Sequence, residues 1–402
     1  MENYLITGSK AYWRTIISLF LGSFVTFALL YCTQPLIPVF SKEMNIQPAY
    51  SSLTVSFATA SLAIFMIIMS WLSDSKGRKK IMVMSLLGSS ILAIMLPLFS
   101  NFYIILGIRA LQGALLAGFP AIAMAYISEE FDHATAGLVM GIYISGNTVG
   151  GLAGRIIVSF ITDFFSWRIA LEFIGLLSFA CAIWFLFNLP VSQNFMPRKQ
   201  SVKKTLQLLA ENIKNPKLLL IYIMGFLLMG SFVTMYNYIS YPLMAPPYQF
   251  SQAAVGCIFF VYLMGTFSST FMGKMADKHG SPKVLIVGIP IMMLGCLMTL
   301  VCSIYLKIIG LAFFTFGFFG CHSVASSWIG KTATNSKAHA SSLYLLFYYT
   351  GSSCLGTIGG QFLLWRGWHG VTLLIGIALL FAIIIAANLL YKENFKASCK
   401  NY

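Results

Sequence analysis

Charged side chains are scarce in this chain: Asp, Glu, Lys and Arg together make up 9% of its 402 residues, whereas 58% of the residues are hydrophobic. A water-soluble domain carries roughly 25% charged residues. This composition excludes such a domain, because too few polar side chains remain to face water. Lipid is therefore predicted to be the solvent for most of the chain.

Catalytic, nucleotide-binding and metal-binding motifs are missing as well. The sequence contains no catalytic triad, phosphate-binding loop or nucleotide-binding motif, which argues against an enzyme and against an ATP-driven pump. Its eight cysteines lack the paired spacing of a metal site. We therefore expect reduced structural thiols, no metal and no cofactor.

Long apolar runs dominate what is present. A helix needs about 20 mostly apolar residues to cross the hydrocarbon core of a bilayer, and we count twelve such windows. They lack the alternation of barrel strands, so an all-α membrane protein is predicted. The polar stretch 190–216 separates the sixth window from the seventh. We expect an N-terminal six-helix bundle (1–189), a cytoplasmic linker (190–216) and a C-terminal six-helix bundle (217–402).

Basic residues fall mainly on one side of this topology. If an even number of helices places both termini together, 20 of the 26 Lys and Arg residues lie on that side. Cytoplasmic loops carry such an excess, so the termini and the linker are predicted to be cytoplasmic and the chain to lie in a bacterial cell membrane. Anionic lipid then accounts for the net charge of +15, without a nucleic-acid partner.

The two halves repeat each other. The loop residues Asp74 and Gly77 correspond to Asp277 and Gly280, 203 residues later. A glycine pattern recurs at an offset of 205 residues, and it comprises Gly146, Gly150 and Gly151 in the first half and Gly351 and Gly356 in the second. These glycines are predicted to be helix-packing positions. Two pseudo-symmetric bundles of this kind are expected to enclose a central cavity that opens alternately to each side.

These motifs resemble the major facilitator superfamily of secondary transporters over essentially the whole chain. The family's loop signature is matched at Asp74, Gly77, Arg78 and Lys79, with Ser70 in place of its first glycine, and Arg109 and Gly113 resemble its Arg-x-x-x-Gly signature. Segments 143–151, 228–234, 322–330 and 340–344 resemble the YnfM-type, arabinose-efflux-like branch. The resemblance implies a fold of twelve transmembrane helices and transport by alternating access.

The charged residues of the repeated loop suggest a role in gating. Arg78 is expected to pair with Glu129 or Glu130 after the fourth helix, and with Asp74 it would form a gating latch. Asp277 and Gly280 would belong to the second copy of this latch. The alternative is an ordinary basic loop, which does not explain a repeated aspartate among cations.

Arg109 lies inside an apolar helix, where a charge is expensive and usually faces a bundle interior or a water-filled cavity. Because we find no central acidic partner for it in the helices that would face this cavity, we predict that it faces the cavity and attracts an anionic or zwitterionic ligand. An internal structural ion pair is the alternative. Arg155 is interpreted as structural, paired with Asp163 or Glu172.

The cavity wall is predicted from polar and aromatic side chains on the helices that would face it. Besides Arg109, the candidates are Tyr31, Gln34, Gln112, Tyr143, Asn147, Tyr236, Asn237, Tyr344 and Tyr348. Such a set suits a moderately amphipathic solute. For proton coupling the first helix offers no carboxylate, which leaves His322 first and Glu172 second. A buried neutral histidine bonded to Tyr or Ser is the alternative for His322.

We predict a monomeric secondary transporter that exports a small amphipathic solute, which is neutral, zwitterionic or anionic, at the expense of a proton gradient. Sugars, drugs and metal-chelating metabolites all remain open as substrates. Asn147 stands where antiporters of the superfamily carry a proline, which weakens the case for export. Proton-coupled import of the same solutes, and a sensor or scaffold that transports nothing, are the alternatives.

Overall fold

The computed structural model describes residues 4–195, 202–333 and 337–398, which form helices and connecting turns without a β-strand. Within these ranges eleven helical stretches are long and apolar enough to cross a membrane. The last one contains a non-helical break at Arg366 and Gly367, so that it comprises two helices. The prediction of an all-α chain with twelve transmembrane helices is therefore confirmed.

The twelve helices follow one another along the chain, with the long linker between the sixth and the seventh. They are α1 (Lys10–Glu43), α2 (Pro48–Lys76), α3 (Arg78–Leu98), α4 (Phe102–Glu130), α5 (Thr135–Phe164), α6 (Trp167–Asn188), α7 (Pro216–Met244), α8 (Gln252–His279), α9 (Ser281–Met298), α10 (Ile304–Thr332), α11 (337–365) and α12 (368–398). The predicted linker contains a further amphipathic helix, Val202–Lys214.

Short polar residues start several of these helices. The side chains of Ser9, Asn101, Ser166, Asn215 and Ser251 each accept a hydrogen bond from a backbone N–H of the first turn. Such caps satisfy donors that the helix itself leaves free. Large apolar side chains such as Ile64, Phe187 and Phe381 are exposed on the outer faces of the helices, as expected of surfaces that contact lipid.

The described residues divide into two compact units. The first unit contains residues 4–46, 53–195 and 250–259. The second unit contains residues 47–52, 202–249 and 260–398, except 334–336. Each unit thus takes a short segment from the opposite half of the sequence, namely the start of α2 in the second unit and the start of α8 in the first.

Glycines let α1 and α5 approach closely in the first unit. A Cβ atom at Gly146, Gly150 or Gly154 would meet the backbone of Phe20, Phe24 or Ala28, respectively. The spacing of four residues repeats the contact at every helical turn. Gly151 points elsewhere, because a Cβ atom there would first meet the Arg155 guanidinium, at 3.2 Å.

The corresponding helices of the second unit, α7 and α11, also approach closely at a glycine. A Cβ atom at Gly351 would meet the backbone of Phe226, whereas one at Gly356 would lie 3.1 Å from the Val233 side chain. The close backbone approach at Gly146 is therefore repeated at Gly351, its counterpart 205 residues later.

A valine at Gly150 should destabilise the protein by about 3 kcal/mol, the upper end for overpacking, because the backbone of Phe24 cannot move aside as a side chain would. A Cβ atom at Gly141 on the same helix would have no heavy atom of a described residue within 4 Å, so Gly141→Val is the matched control. Thermal unfolding in detergent measures both variants. Equal melting temperatures for the two would show that the α1–α5 contact is not tight.

The loop glycines share an unusual backbone conformation. Gly77 has φ +93° and ψ 145°, and Gly280 has φ +91° and ψ 144°. Only glycine adopts these angles without strain. The repeated glycine of the loop motif is thus required by the turn between two successive helices in each unit.

Candidate functional site

The loop between α2 and α3 is organised by Arg78, which is 9% exposed. Its Nη1 donates to Asp74 Oδ1 at 2.5 Å, and its Nη2 and Nε donate to the two oxygens of Glu129 at 2.8 and 3.2 Å. Nη1 also donates to Ser73 Oγ at 2.6 Å. A guanidinium that reaches a carboxylate through two N–H groups forms a strong, directed pair. Arg78 therefore joins the end of α2 to the end of α4.

The neighbouring carboxylate, Glu130, has a separate role. It is 2% exposed, and its Oε1 accepts hydrogen bonds from Ser192 Oγ at 2.6 Å and from Asn194 N at 2.9 Å. The side chain of Asn194 donates to the Glu129 carbonyl at 3.0 Å. Arg78 thus pairs with Glu129, while Glu130 holds the start of the linker against α4.

In the second copy of the loop, the cation that pairs with the aspartate comes from a different helix. Ser281 stands where the first copy has Arg78, and the cation comes instead from Lys331 near the end of α10. Lys331 Nζ lies 2.8 Å from Asp277 Oδ1, with side chains 56% and 71% exposed. An exposed pair of this kind contributes about 0–1 kcal/mol. The two copies of the loop are therefore unequal in strength.

Asp74→Asn should impair transport while leaving membrane insertion normal, because it removes a charged partner from the nearly buried Arg78. Hydrogen bonds to charged groups contribute about 1.5–3 kcal/mol. Asp277→Asn is the matched control and should leave transport close to that of the parent. Both are measured as transport rate per inserted protein. The gating role of the loop would be excluded by an unchanged rate in Asp74→Asn.

Arg109 on α4 is fully buried. Its Nε donates to the Thr54 carbonyl at 2.7 Å, Nη1 to the Leu29 carbonyl at 2.9 Å and Nη2 to the Leu30 carbonyl at 2.6 Å. It also donates to Gln112 Oε1, and Gln112 donates in turn to the Ser89 carbonyl at 3.0 Å. The described residues thus give Arg109 no carboxylate partner, and backbone carbonyls take the place of one.

The position of these carbonyls explains why they need an outside donor. The first helical segment of α1 ends at Tyr31, so that the carbonyls of Leu29 and Leu30 belong to its last turn, where intrahelical donors run out. Arg109 supplies the missing donors and ties α1, α2 and α4 together. A contact between Arg109 and substrate stays a prediction.

A second buried arginine brings two predicted cavity residues together. Arg155 Nε donates to Gln34 Oε1 at 2.7 Å, and Arg155 Nη1 donates to the Gly151 carbonyl at 2.5 Å. The guanidinium carbon lies 4.3 Å from the ring centre of Tyr31 and 5.3 Å from that of Phe259. Tyr31 and Gln34 thus lie around Arg155 in the first unit.

The two carboxylates considered as partners of Arg155 lie in other surroundings. Asp163 Oδ1 accepts a hydrogen bond from Gln252 N at 3.1 Å. Glu172 is exposed on α6. Its role in coupling stays a prediction.

Tyr143 and Asn147 lie on the side of α5 that packs against other helices of the first unit. Tyr143 OH donates to the Pro120 carbonyl at 3.1 Å, and Ser23 Oγ donates to the Tyr143 carbonyl at 2.9 Å. Ser23 also contacts Asn147 Oδ1. Asn147 is partly buried, so that of the two it is the more accessible.

An aromatic cluster occupies α7, α10 and α11 in the second unit. We give this name to Phe232, Tyr236, Phe318, His322, Tyr344 and Tyr348. The rings of Phe232 and Phe318 stack at 3.8 Å between centroids, and His322 lies 4.6 Å from Tyr348 and 6.0 Å from Phe318. Tyr236 OH and Thr315 Oγ1 are 2.6 Å apart. Four of the predicted residues on these three helices, Tyr236, His322, Tyr344 and Tyr348, thus meet in one cluster.

His322 is the only titratable nitrogen base in this cluster and is partly buried. Its Nδ1 lies 2.9 Å from Tyr344 OH, while the described residues give its Nε2 no hydrogen bond. Asn237, also predicted for the cavity, is fully buried and donates to the Gly356 carbonyl at 3.4 Å.

Phe232 and Phe318 were missed because every aromatic candidate chosen for the cavity wall was a tyrosine. Their signal is a spacing of four residues, since Phe232 precedes Tyr236, Phe318 precedes His322 and Tyr344 precedes Tyr348 at that distance. Side chains four residues apart share one helix face.

Comparison with known proteins agrees with this architecture. The sequence profile of the Major Facilitator Superfamily matches residues 19–252 and 232–401. The MFS-type transporter YybF of Bacillus subtilis (strain 168) is 43% identical over 388 residues, covering 96% of each chain. The inner membrane transport protein YnfM of Escherichia coli (strain K12) is also 43% identical over 388 residues, covering 96% of this chain and 93% of YnfM.

More distant similarities point the same way. The multi-drug resistance efflux pump PmrA of Streptococcus pneumoniae (serotype 4) is 28% identical over 292 residues, covering 66% of this chain and 68% of PmrA. The crystal structure of the nucleoside transporter NupG has a TM-score of 0.76 at 15% identity, covering 94% of this chain and 99% of NupG.

This chain belongs to the Major Facilitator Superfamily. It is a multi-pass membrane transporter of the YnfM type and not an enzyme. The resemblance inferred from the loop motifs is thereby confirmed.

Proposed function

We propose that the chain exports a small amphipathic solute, which is neutral, zwitterionic or anionic, in exchange for protons by alternating access. The observation that carries this proposal is the aromatic cluster of the second unit. It places a partly exposed imidazole, whose Nε2 has no hydrogen bond from the described residues, among ring faces. One cluster thus combines an imidazole, which can bind a proton at Nε2, with aromatic rings that suit an amphipathic molecule.

We assign the transported proton to His322 because its hydrogen bond to Tyr344 can persist in either protonation state. Tyrosine hydroxyl both donates and accepts. Tyr344 OH can therefore donate to a bare Nδ1 or accept from a protonated one across the observed 2.9 Å. The Nε2 atom is left to exchange a proton with water or substrate.

We infer the chemical class of the solute from the same aromatic rings. The rings of Phe318 and Tyr348 both lie next to His322, and rings of this kind bind flat apolar groups. The polar contacts available beside them are hydroxyls and an imidazole. Carboxylates that would select a cation are absent from the cluster as defined, which favours a neutral, zwitterionic or anionic solute.

Export is supported by PmrA, a distant relative described as an efflux pump. The excess of basic residues on the side of the linker supports cytoplasmic termini and linker. We propose that the chain works as a monomer in the bacterial cytoplasmic membrane, with the proton gradient as its energy source.

Metabolite profiling of cells and medium tests the export proposal. Cells that lack the gene should accumulate at least one amphipathic solute, and the medium should lose it. The parent should restore the solute to the medium, whereas an inserted Tyr348→Ala variant should not, because it lacks a ring face. Loss of uptake from the medium would indicate import, and no change in either compartment would indicate a protein that transports nothing.

A further inference from the structure

A cavity of about 340 Å³ opens in the first unit beside the loop that joins α2 and α3. Part of its lining is basic and includes Lys76, Lys79 and Lys80. Another part of its lining, called the apolar wall below, consists of Val83, Leu186, Val191 and Phe195. We propose that this cavity binds an anionic phospholipid, with the headgroup phosphate among the lysines and an acyl chain along the apolar wall. This site is separate from the proposed transport site and does not depend on it.

The lysines are available for a ligand. Lys76 and Lys80 are exposed and Lys79 is partly buried. None of the three forms an ion pair with a described residue. Arg78, which also lines the cavity, is already held by Asp74 and Glu129. Three cations without a carboxylate among the described residues therefore face a cavity beside a neutralised arginine, so the net charge of its polar side is positive.

The apolar wall is what distinguishes a lipid from a free anion. Val83 lies in the second turn of α3 and Leu186 in the last turn of α6, where these spans leave the predicted hydrocarbon region. The adjacent Phe187 is 77% exposed and Met84 is 42% exposed, so the apolar surface continues outward along both helices. Basic pockets at the end of transmembrane helices suit lipid headgroups, and the continuous apolar surface suits an acyl chain.

The wall is also held in place from within the first unit. Phe195 lies 5.1 Å from the Arg78 guanidinium carbon, measured to its ring centre. Ser192 and Asn194 are bonded to Glu130. The start of the linker is therefore fixed as one side of the cavity by the Glu130 carboxylate and the Arg78 guanidinium.

Native mass spectrometry of the full chain in mild detergent, titrated with phosphatidylglycerol, tests this site. A variant with Lys76→Gln, Lys79→Gln and Lys80→Gln should raise the dissociation constant of the tightest bound phosphatidylglycerol by at least about tenfold. The control removes the same charge from the second copy of the loop by Lys274→Gln, Lys278→Gln and Lys283→Gln, and it should stay within about twofold of the parent.

Additional variants and competing ligands serve as controls for folding, for charge and for the type of ligand. The Lys→Arg version of the first triple variant should bind like the parent, and Lys79→Gln alone is used if the triple variant does not fold. Excess inorganic phosphate should not displace the lipid, and phosphatidylcholine should bind at least about tenfold more weakly. Equal lipid binding in both triple variants, displacement by phosphate, or equal binding of phosphatidylcholine would overturn the proposal.

Discussion

Replacing Arg109 by glutamine should abolish transport and lower the melting temperature of the protein strongly. Arg109 is fully buried and donates to the carbonyls of Thr54, Leu29 and Leu30. A glutamine side chain is too short to reach all three. Each buried carbonyl left without a donor costs about 1–3 kcal/mol, so the variant should lose several kcal/mol and the fixed end of the first α1 segment.

Thermal unfolding in detergent and transport per inserted molecule measure this effect. Arg168→Gln is the control, because Arg168 has a 44% exposed side chain and its nearest contact to the Glu43 carboxylate is 4.0 Å. It should behave like the parent. Arg109→Lys should recover only part of the stability, since an ammonium lacks the planar fork that spans separate acceptors. An Arg109→Gln protein as stable as the parent would contradict the role of Arg109 in holding α1, α2 and α4 together.

His322→Ala should flatten the dependence of transport on pH. If His322 carries the proton, its removal leaves transport without the step that couples it to pH, so the ratio of rates at about pH 6 and 8 should approach one. Tyr344→Phe should weaken the pH dependence less severely. It removes the hydroxyl that bonds Nδ1 at 2.9 Å but keeps the imidazole. Transport of the solute identified by profiling, measured across this pH range, gives the result.

His369→Ala provides the control for the histidine prediction. His369 is exposed at the start of α12, and its loss should leave the pH profile unchanged. A His322→Ala protein with the pH profile of the parent would show that His322 is a structural histidine, which is the alternative left open by its hydrogen bond to Tyr344.

The helices could be predicted from the sequence because each is long, apolar and bounded by polar residues. Even the short break at Arg366 and Gly367 separates two predicted windows, although the helical hydrogen bonding is nearly continuous there. A pairing of Arg78 with Glu129 or Glu130 followed from the topology, since the end of α2, the start of α3 and the end of α4 lie on the same side, but the choice of Glu129 is known only from the structure.

The surroundings of Arg109 and Arg155 could not be predicted in this way. Hydropathy does not reveal that the first segment of α1 stops at Tyr31, so it does not show which backbone carbonyls need donors. Arg155 meets Gln34, 121 residues away, and Phe259 from the start of α8. Contacts between such distant segments depend on tertiary packing. The order of the helices along the chain does not determine them.

If solute moves in exchange for protons, the luminal pH of reconstituted liposomes should respond to solute. Purified protein is placed in liposomes with an acidic lumen, and the solute found by profiling is added outside. We expect the lumen to become less acidic as solute enters, and His322→Ala liposomes to show no solute-dependent change. A luminal pH that follows the same course with and without solute, or one that falls as solute enters, would contradict proton-driven export.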